Sequence, residues 1–242
     1  MAANDGVCPF TIERPVMRQR WATLTFLHWA FDPADVQRLL PAGLTADLHD
    51  GAAWVGLVPF YMHVATPGGR QAPWVSRFCE TNVRTYVRDD AGRSGIWFLS
   101  LDAARLGAVA VARSTYRLPY FWSSMDVGSP GDGTIRYRSR RRLPGPCPAV
   151  SEVAVRPGPR FAADALGDRD HFLTARWILF SITGGRRRLA RACHQPWPLH
   201  HAEVLSLDDH LIEAAGLPAP SGSPLVHYSP GVDVAIGRPE LA

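Results

Sequence analysis

Residues 78–102 read FCETNVRTYVRDDAGRSGIWFLSLD, and the fold turns on them. Two runs rich in β-branched and aromatic residues flank Asp89-Asp90-Ala91-Gly92, a turn composition, so the stretch predicts a β-hairpin. Residues two apart in a strand share a face. Phe78, Glu80, Asn82, Arg84 and Tyr86 therefore project together, while Cys79, Thr81, Val83, Thr85 and Val87 form a smaller, more apolar face. The polar face has two readings: a solvated surface carrying a Glu–Arg pair, or the wall of an internal polar cavity. On the second reading desolvation raises the pKa of Glu80, and Arg84 opposes the rise.

The same pattern continues outward. Residues 18–31 predict a long strand. Asp32 caps, Pro33 opens and Pro41 with Gly43 closes a short helix. Asp50-Gly51, between two apolar runs, signals another hairpin. Further strands are expected at 110–118, 133–142, 150–155, 199–206 and 225–236. Helices are expected over GDRDHFLTARWILFSI (167–182) and LDDHLIEAAG (207–216), the second ending on Gly216. Strands in sequence, tight turns and few helices point to an α+β domain, mostly antiparallel β, curved or closed into a barrel. A single domain over 1–242 is expected, with its core at about 14–236, because no linker or repeat divides the chain.

Composition narrows the chemistry. With 46% hydrophobic and 20% charged residues in 242, the chain has the profile of an ordinary globular protein. No signal peptide or membrane-length apolar run is present, so a cytoplasmic protein without a membrane partner is expected. The four cysteines lie dozens of residues apart without a CxxC, which signals neither a zinc site nor a disulfide framework. All 26 basic residues are arginine. Schiff-base chemistry through a lysine amine is thereby excluded, and acid–base work falls to carboxylates, histidines, tyrosines or cysteines. No GxGxxG or GxxxxGK[ST] occurs, and no cofactor is expected.

Five runs carry a resemblance: HWAFDPADVQRLLPAGLTADLHDGAAWVGLVPF, FCETNVRTYV, GIWFLSLDA, AVAVARSTYRLPY and HQPWPLHHAEV. Together they resemble the YqjF-like, or DUF2071, family over about residues 14–236. That family has no established general function. It is similar to the acetoacetate decarboxylase-like superfamily, whose fold is a closed cone-shaped β-barrel with flanking helices, often in oligomers. The resemblance implies a cavity inside a barrel and a homo-oligomer. It places Arg113 and Pro119 at a superfamily arginine and proline, and Tyr120 where the Schiff-base lysine stands. It also matches Glu80, with Phe78 two positions earlier, to a catalytic glutamate, and Arg18 or Arg20 to an early arginine.

These positions define the expected site. Glu80 is a general base or acid, Arg113 a clamp for a carboxylate, and Tyr120 a hydrogen-bond donor to a carbonyl oxygen. Each also has a structural reading: a surface pair for Glu80, a strand-end anchor for Arg113, and an aromatic packed on Phe121 and Trp122 for Tyr120. Asn82, Arg84, Tyr116, His63 and Arg20 are expected around the substrate, although Tyr116 also suits the core. His194, His200 and His201 lack metal-ligand spacing, so no metal is expected. Alternation places Arg136, Arg138 and Arg140 on one strand face and Tyr137 on the other. That stripe and Arg186, Arg187, Arg188 and Arg191 make a nucleic-acid partner a lesser alternative to a solvated or oligomer-facing surface. The leading expectation is a small-molecule ligand, an oxo-acid or carbonyl compound, handled through an enolate by a lyase, isomerase or hydrolase. The main alternative is a non-catalytic ligand-binding or interaction protein.

Overall fold

A computed structural model of the chain describes residues 6–65, 68, 76–105 and 118–242. Among them, fourteen strands belong to one sheet. In chain order these are β1 (Met17–Phe31), β2 (Leu44–Ala46), β3 (Leu48–His49), β4 (Ala52–Ala65), β5 (Arg77–Asp89), β6 (Ser94–Ala103), β7 (Tyr120–Gly128), β8 (Ile135–Leu143), β9 (Val150–Arg160), β10 (Ile178–Thr183), β11 (Arg186–His194), β12 (His200–Asp209), β13 (Leu225–Ile236) and β14 (Glu240–Leu241). Three short α-helices and a 3-10 turn (Ala163–Ala165) accompany them among the described residues: α1 (Pro33–Gln37), α2 (Asp168–Thr174) and α3 (Leu211–Ala214). No helix among the described residues is long and apolar enough to cross a membrane.

Hydrogen bonding runs β14-β11-β10-β6-β7-β8-β9-β12-β13-β1-β4-β5-β2, with β3 on β4 and with β5–β6 and β11–β13 paired as well. Most neighbours are antiparallel, but β6 runs parallel to both β7 and β10. It meets β10 at Ile96 and Trp97 and β7 at Leu101 to Ala103, so the sheet forks along this strand. Between those ends Val83 pairs with Ser100 and Arg84 with Phe98, leaving Leu99 as a one-residue bulge. The turn between β3 and β4 is Asp50-Gly51, both at positive φ (52° and 76°), as a two-residue hairpin requires. A side chain at Gly231 (φ 128°) would put its Cβ 2.1 Å from the Trp21 carbonyl oxygen, so only glycine lets β13 pass β1 there.

Two expected helices are shortened. Over 167–182 the helix covers only Asp168–Thr174, and residues 178–183 form β10. The apolar spacing there fits a helix, but tertiary pairing prevails: Leu179 and Phe180 bond along β6, and Gly184-Gly185 turns β10 into β11. Arg176 marks the change by donating from Nε to the Phe172 carbonyl at 2.7 Å and from Nη1 to Asp47 Oδ2 at 2.7 Å. Likewise, Leu207 to Asp209 belong to β12, and the helix begins only at Leu211. The strand expected at 110–118 lies outside the described residues, apart from Leu118.

Both faces of the central strands are covered. On one side Leu27, Trp29, Val55, Leu57 and Val83 pack with Tyr137, Val153 and Val155 across from them. On the other, Phe26, Val58, Phe60 and Phe78 pack with Trp197 and Leu199. The arginine stripe behaves as alternation requires, with Arg136, Arg138 and Arg140 exposed. The next arginine turns inward: Arg141 and Asp102 have fully buried side chains joined by two bonds, Nε to Oδ1 at 2.9 Å and Nη2 to Oδ2 at 2.7 Å. Ser123 Oγ donates to the same carboxylate at 2.6 Å, and the Phe121 ring lies 3.6 Å from the guanidinium carbon. Removing one partner leaves a buried, unpaired charge. Arg141→Met is therefore expected to cost about 3–5 kcal/mol, and Arg140→Met on the exposed face less than about 0.5 kcal/mol, as read by urea denaturation of the two variants.

Candidate functional site

Strand β5 carries the site because each of its faces is buried. Glu80, Asn82 and Arg84 are 3%, 5% and 6% exposed, which rules out the solvated-surface reading of this face. Register assembles the surroundings. Glu80 stands opposite Phe60 of β4 and Ala103 of β6, Asn82 opposite Val58 and Leu101, and Leu101 is in turn beside Tyr120 of β7. Paired residues share a face, so Tyr120 and Trp122 project toward Glu80, whereas Phe121 joins Asp102 on the reverse.

The phenol of Tyr120 donates to Glu80 Oε2 at 2.9 Å. The purely packing role for Tyr120, against Phe121 and Trp122, does not describe this geometry. Burial pushes the Glu80 carboxyl up from 4.5 to about 7; the Asp102 charge on the reverse face adds to this, and hydrogen bonds from Tyr120 and Asn82 work against it. Arg84 was expected to supply that opposing influence, but its guanidinium is engaged elsewhere. Tyr120 moves well above its ordinary value, mainly through burial and then through the neighbouring Glu80 charge, so it remains a donor at neutral pH. Asn82 gives its amide N–H to Glu80, while its Oδ1 is buried without a partner. The result is a proton acceptor half-ionised near neutrality, held by a phenol and an amide within an apolar wall.

Farther along β5 the same face serves a different end. Arg84 Nη2 and Tyr86 Oη donate to the Leu173 carbonyl at 3.2 and 2.6 Å, and Trp197 Nε1 donates to the Thr174 carbonyl at 2.9 Å. These bonds satisfy the free carbonyls at the end of α2 and dock it on the sheet. Since the Tyr86 proton goes to Leu173, His28 must donate from Nε2 to the Tyr86 oxygen at 2.6 Å, leaving its buried Nδ1 bare. Burial holds the His28 pKa well below the usual histidine range, with the Arg84 charge adding to it. Arg84 is thus an anchor at this end, about 13 Å along the strand from Glu80.

The remaining expected residues separate. Arg20 and His63 are paired across β1 and β4 but project to the face away from Glu80, one residue out of phase with Trp21 and Met62. Arg20 is exposed and bonded to Asp233 at 3.2 Å, and both residues line a surface groove of about 680 Å³. Arg18 lines the same groove. Arg113 and Tyr116 lie outside the described residues, so the carboxylate clamp expected from Arg113 has no described geometry. Among the described residues, no group of three or more His, Cys, Asp or Glu side chains is arranged to hold a metal. The Asp102–Arg141–Ser123 cluster behind Glu80 escaped the sequence reading. Its signal was present: Tyr137, Ser139 and Arg141 alternate with the exposed arginines.

With the fold and the Glu80–Tyr120 pair in place, comparison with known proteins is informative. A model of the DUF2071 family, described as an uncharacterised conserved protein, matches residues 18–233. The chain belongs to the DUF2071 family. Its relative YqjF from Bacillus subtilis (strain 168), also uncharacterised, is 34% identical over 228 residues, covering 90% of this chain and 89% of YqjF. Among solved structures, the enduracididine biosynthesis enzyme MppR complexed with pyruvate superposes with a TM-score of 0.66 at 14% identity, covering 96% of this chain and 92% of MppR. An acetoacetate decarboxylase-like enzyme from Sphingomonas wittichii RW1 gives 0.64 at 13% identity, over 98% of this chain and 99% of that one. These likenesses establish the fold: this DUF2071 protein is a mostly antiparallel, mixed sheet with few helices, of the acetoacetate decarboxylase-like type.

The raised carboxyl has a thermodynamic signature. Between pH 4.5, the ordinary value, and about 7, the folded protein holds a proton on Glu80 that the unfolded chain has released. Stability from this group is therefore full below pH 4.5 and lost as pH rises through about 7. Relative to wild type, Glu80→Gln should gain about 3 kcal/mol between those limits. Denaturant titrations of both proteins across pH check this; a pH-independent difference would show that Glu80 has an ordinary pKa.

Proposed function

We propose that this protein binds a small oxo-acid or related carbonyl compound and catalyses its enolisation, with Glu80 as the proton-transferring group and Tyr120 as its hydrogen-bonding partner. One observation carries the reading: a buried carboxyl poised near pH 7 in direct contact with a protonated phenol. A carboxylate in that state can take a proton from the carbon beside a carbonyl. The C–H pair moves into the C=C bond of the enolate, and the carbonyl oxygen gains the charge. Once Glu80 carries the proton, Tyr120 is free to turn its O–H from Oε2 to that oxygen, an oxyanion-stabilising role. The absence of lysine directs this chemistry away from a side-chain imine.

Two further points support the reading. The pairings β5–β6 and β11–β13 connect strands distant in the sheet order, consistent with a sheet closed into a cone-shaped barrel around a ligand space. The structural neighbour MppR is complexed with pyruvate, an oxo-acid, in one structure and with the condensation product of pyruvate and imidazole 4-carboxaldehyde in another. At 14% identity this is an analogy of fold, and it guides the choice of test compound.

Proton NMR in D2O tests the proposal directly, by following exchange at the carbon adjacent to the carbonyl of pyruvate, 2-oxobutyrate and acetoacetate. Wild type is expected to accelerate exchange of at least one compound, with a rate that rises as Glu80 ionises toward pH 7 and above. Glu80→Gln should slow it by about 100-fold or more, and Tyr120→Phe by about 10-fold or more, with both variants still folded by circular dichroism. Exchange unchanged in a folded Glu80→Gln would remove Glu80 from the mechanism. Binding without exchange in wild type would favour a non-catalytic ligand-binding protein on the same fold.

A further inference from the structure

Residues 6–16 form neither helix nor strand and lie as a strap along β11 and β13. Val16 N–H donates to the Ile236 carbonyl at 2.8 Å, and the Arg191 guanidinium sits 5.6 Å from the centre of the Phe10 ring. At the middle of the strap, two thiols meet one acceptor. Cys8 Sγ and Cys193 Sγ each donate to the Phe10 carbonyl oxygen at 3.1 Å, which makes the two thiols neighbours. Both are half-buried, and both line the groove of about 680 Å³ that also contains Arg20, His63 and His194.

Separated by about three quarters of the chain in sequence, the pair is invisible to a spacing rule yet adjacent in the fold. Small oxidants can reach it through the groove, and both sulfurs stand 3.1 Å from the same oxygen. We infer that Cys8 and Cys193 form a reversible disulfide that fastens the strap to β11, with hydrogen peroxide as the oxidant. In the first step one thiol sulfur attacks a peroxide oxygen, the O–O bond breaks, and a sulfenic acid and water result. In the second, the other thiol attacks that sulfur, the S–S bond forms and a second water leaves. Two electrons pass from the sulfurs to the peroxide, and both thiol protons depart in the waters. Burial, reinforced by the neighbouring Cys193, pushes the Cys8 thiol up to about 12, so the reaction quickens as pH rises.

The other cysteines lack this arrangement. Cys79 is buried in β5, and Cys147 is exposed, with its thiol directed at the Arg141 and Arg142 carbonyls. Closing the bond would fix one wall of the groove and tie together the two ends of a very long chain segment, which restricts the unfolded state most effectively when the loop is long. The inference is independent of the chemistry assigned to Glu80, because none of Glu80, Asn82 and Tyr120 lines the groove.

The test treats the intact, reduced protein with hydrogen peroxide and measures intact mass, free thiols and a non-reducing peptide map. The expected result is loss of two thiols and about 2 Da, a Cys8–Cys193 linked peptide, reversal by dithiothreitol, and a melting temperature raised by about 5 °C or more. Cys8→Ser and Cys193→Ser should each abolish the linked species, while Cys79→Ser and Cys147→Ser should leave it intact. Oxygen addition to single cysteines, linkage through Cys79 or Cys147, or retention of all thiols at peroxide concentrations that oxidise a control dithiol would each overturn the inference.

Discussion

A strand buried on both faces cannot turn its polar residues toward water, and β5 is such a strand. Between Phe78 and Val87, where every residue is buried, each charged or hydrogen-bonding group must find a partner inside or incur desolvation. The partners differ by region. Behind β6, Asp102 takes both arms of Arg141 and the hydroxyl of Ser123. At one end of the opposite face, Arg84 and Tyr86 supply the bonds that the end of α2 lacks. At the other end Glu80 receives, among the described residues, a phenol and an amide, neither of which carries a countercharge. With burial uncompensated there, the Glu80 carboxyl is pushed up to about 7. Compensation by an arginine is available within the fold, but it is given to Asp102, and the Asp102 charge itself pushes Glu80 upward.

Much of this was legible in the residues. Alternation in FCETNVRTYV placed Glu80 and Asn82 on one face, and Asp50-Gly51 and Asp89 to Gly92 marked the hairpin turns, because period-two burial and positive φ are local demands. The juxtaposition of Glu80 with Tyr120 came from the family resemblance rather than from periodicity. It depends on a parallel pairing between β6 and β7, which no local pattern encodes. The same limit explains residues 178–183. Ile178-Leu179-Phe180 continues the apolar spacing of α2, and only the offer of hydrogen bonds from β6 converts it to a strand.

Misjudged residues share a cause. Arg84 was assigned to the substrate because it shares a face with Glu80, yet a face on a long strand extends far enough to serve two different neighbours. Arg20 and His63 fall on the reverse of the sheet by a single position of phase, which sequence similarity to an early arginine does not resolve. Arg141, hidden in a run of arginines, was missed differently: alternation was followed through Arg136, Arg138 and Arg140 but not carried on to Arg141, which falls on the other face with Tyr137.

The fork at β6 has a consequence for how this fold tolerates change in length. The Ile96 end of the strand is tied to β10 and the Leu101 end to β7, with the Leu99 bulge between them. The two ends therefore keep their phases separately, and the bulge is the joint that reconciles them. Loss of that one residue would leave one end correctly placed and rotate the other by half a period. Asp102 would then exchange places with a neighbour and face the apolar layer, so homologous chains with a shorter β6 would need a compensating change in β7 and β8 together rather than in the strand alone.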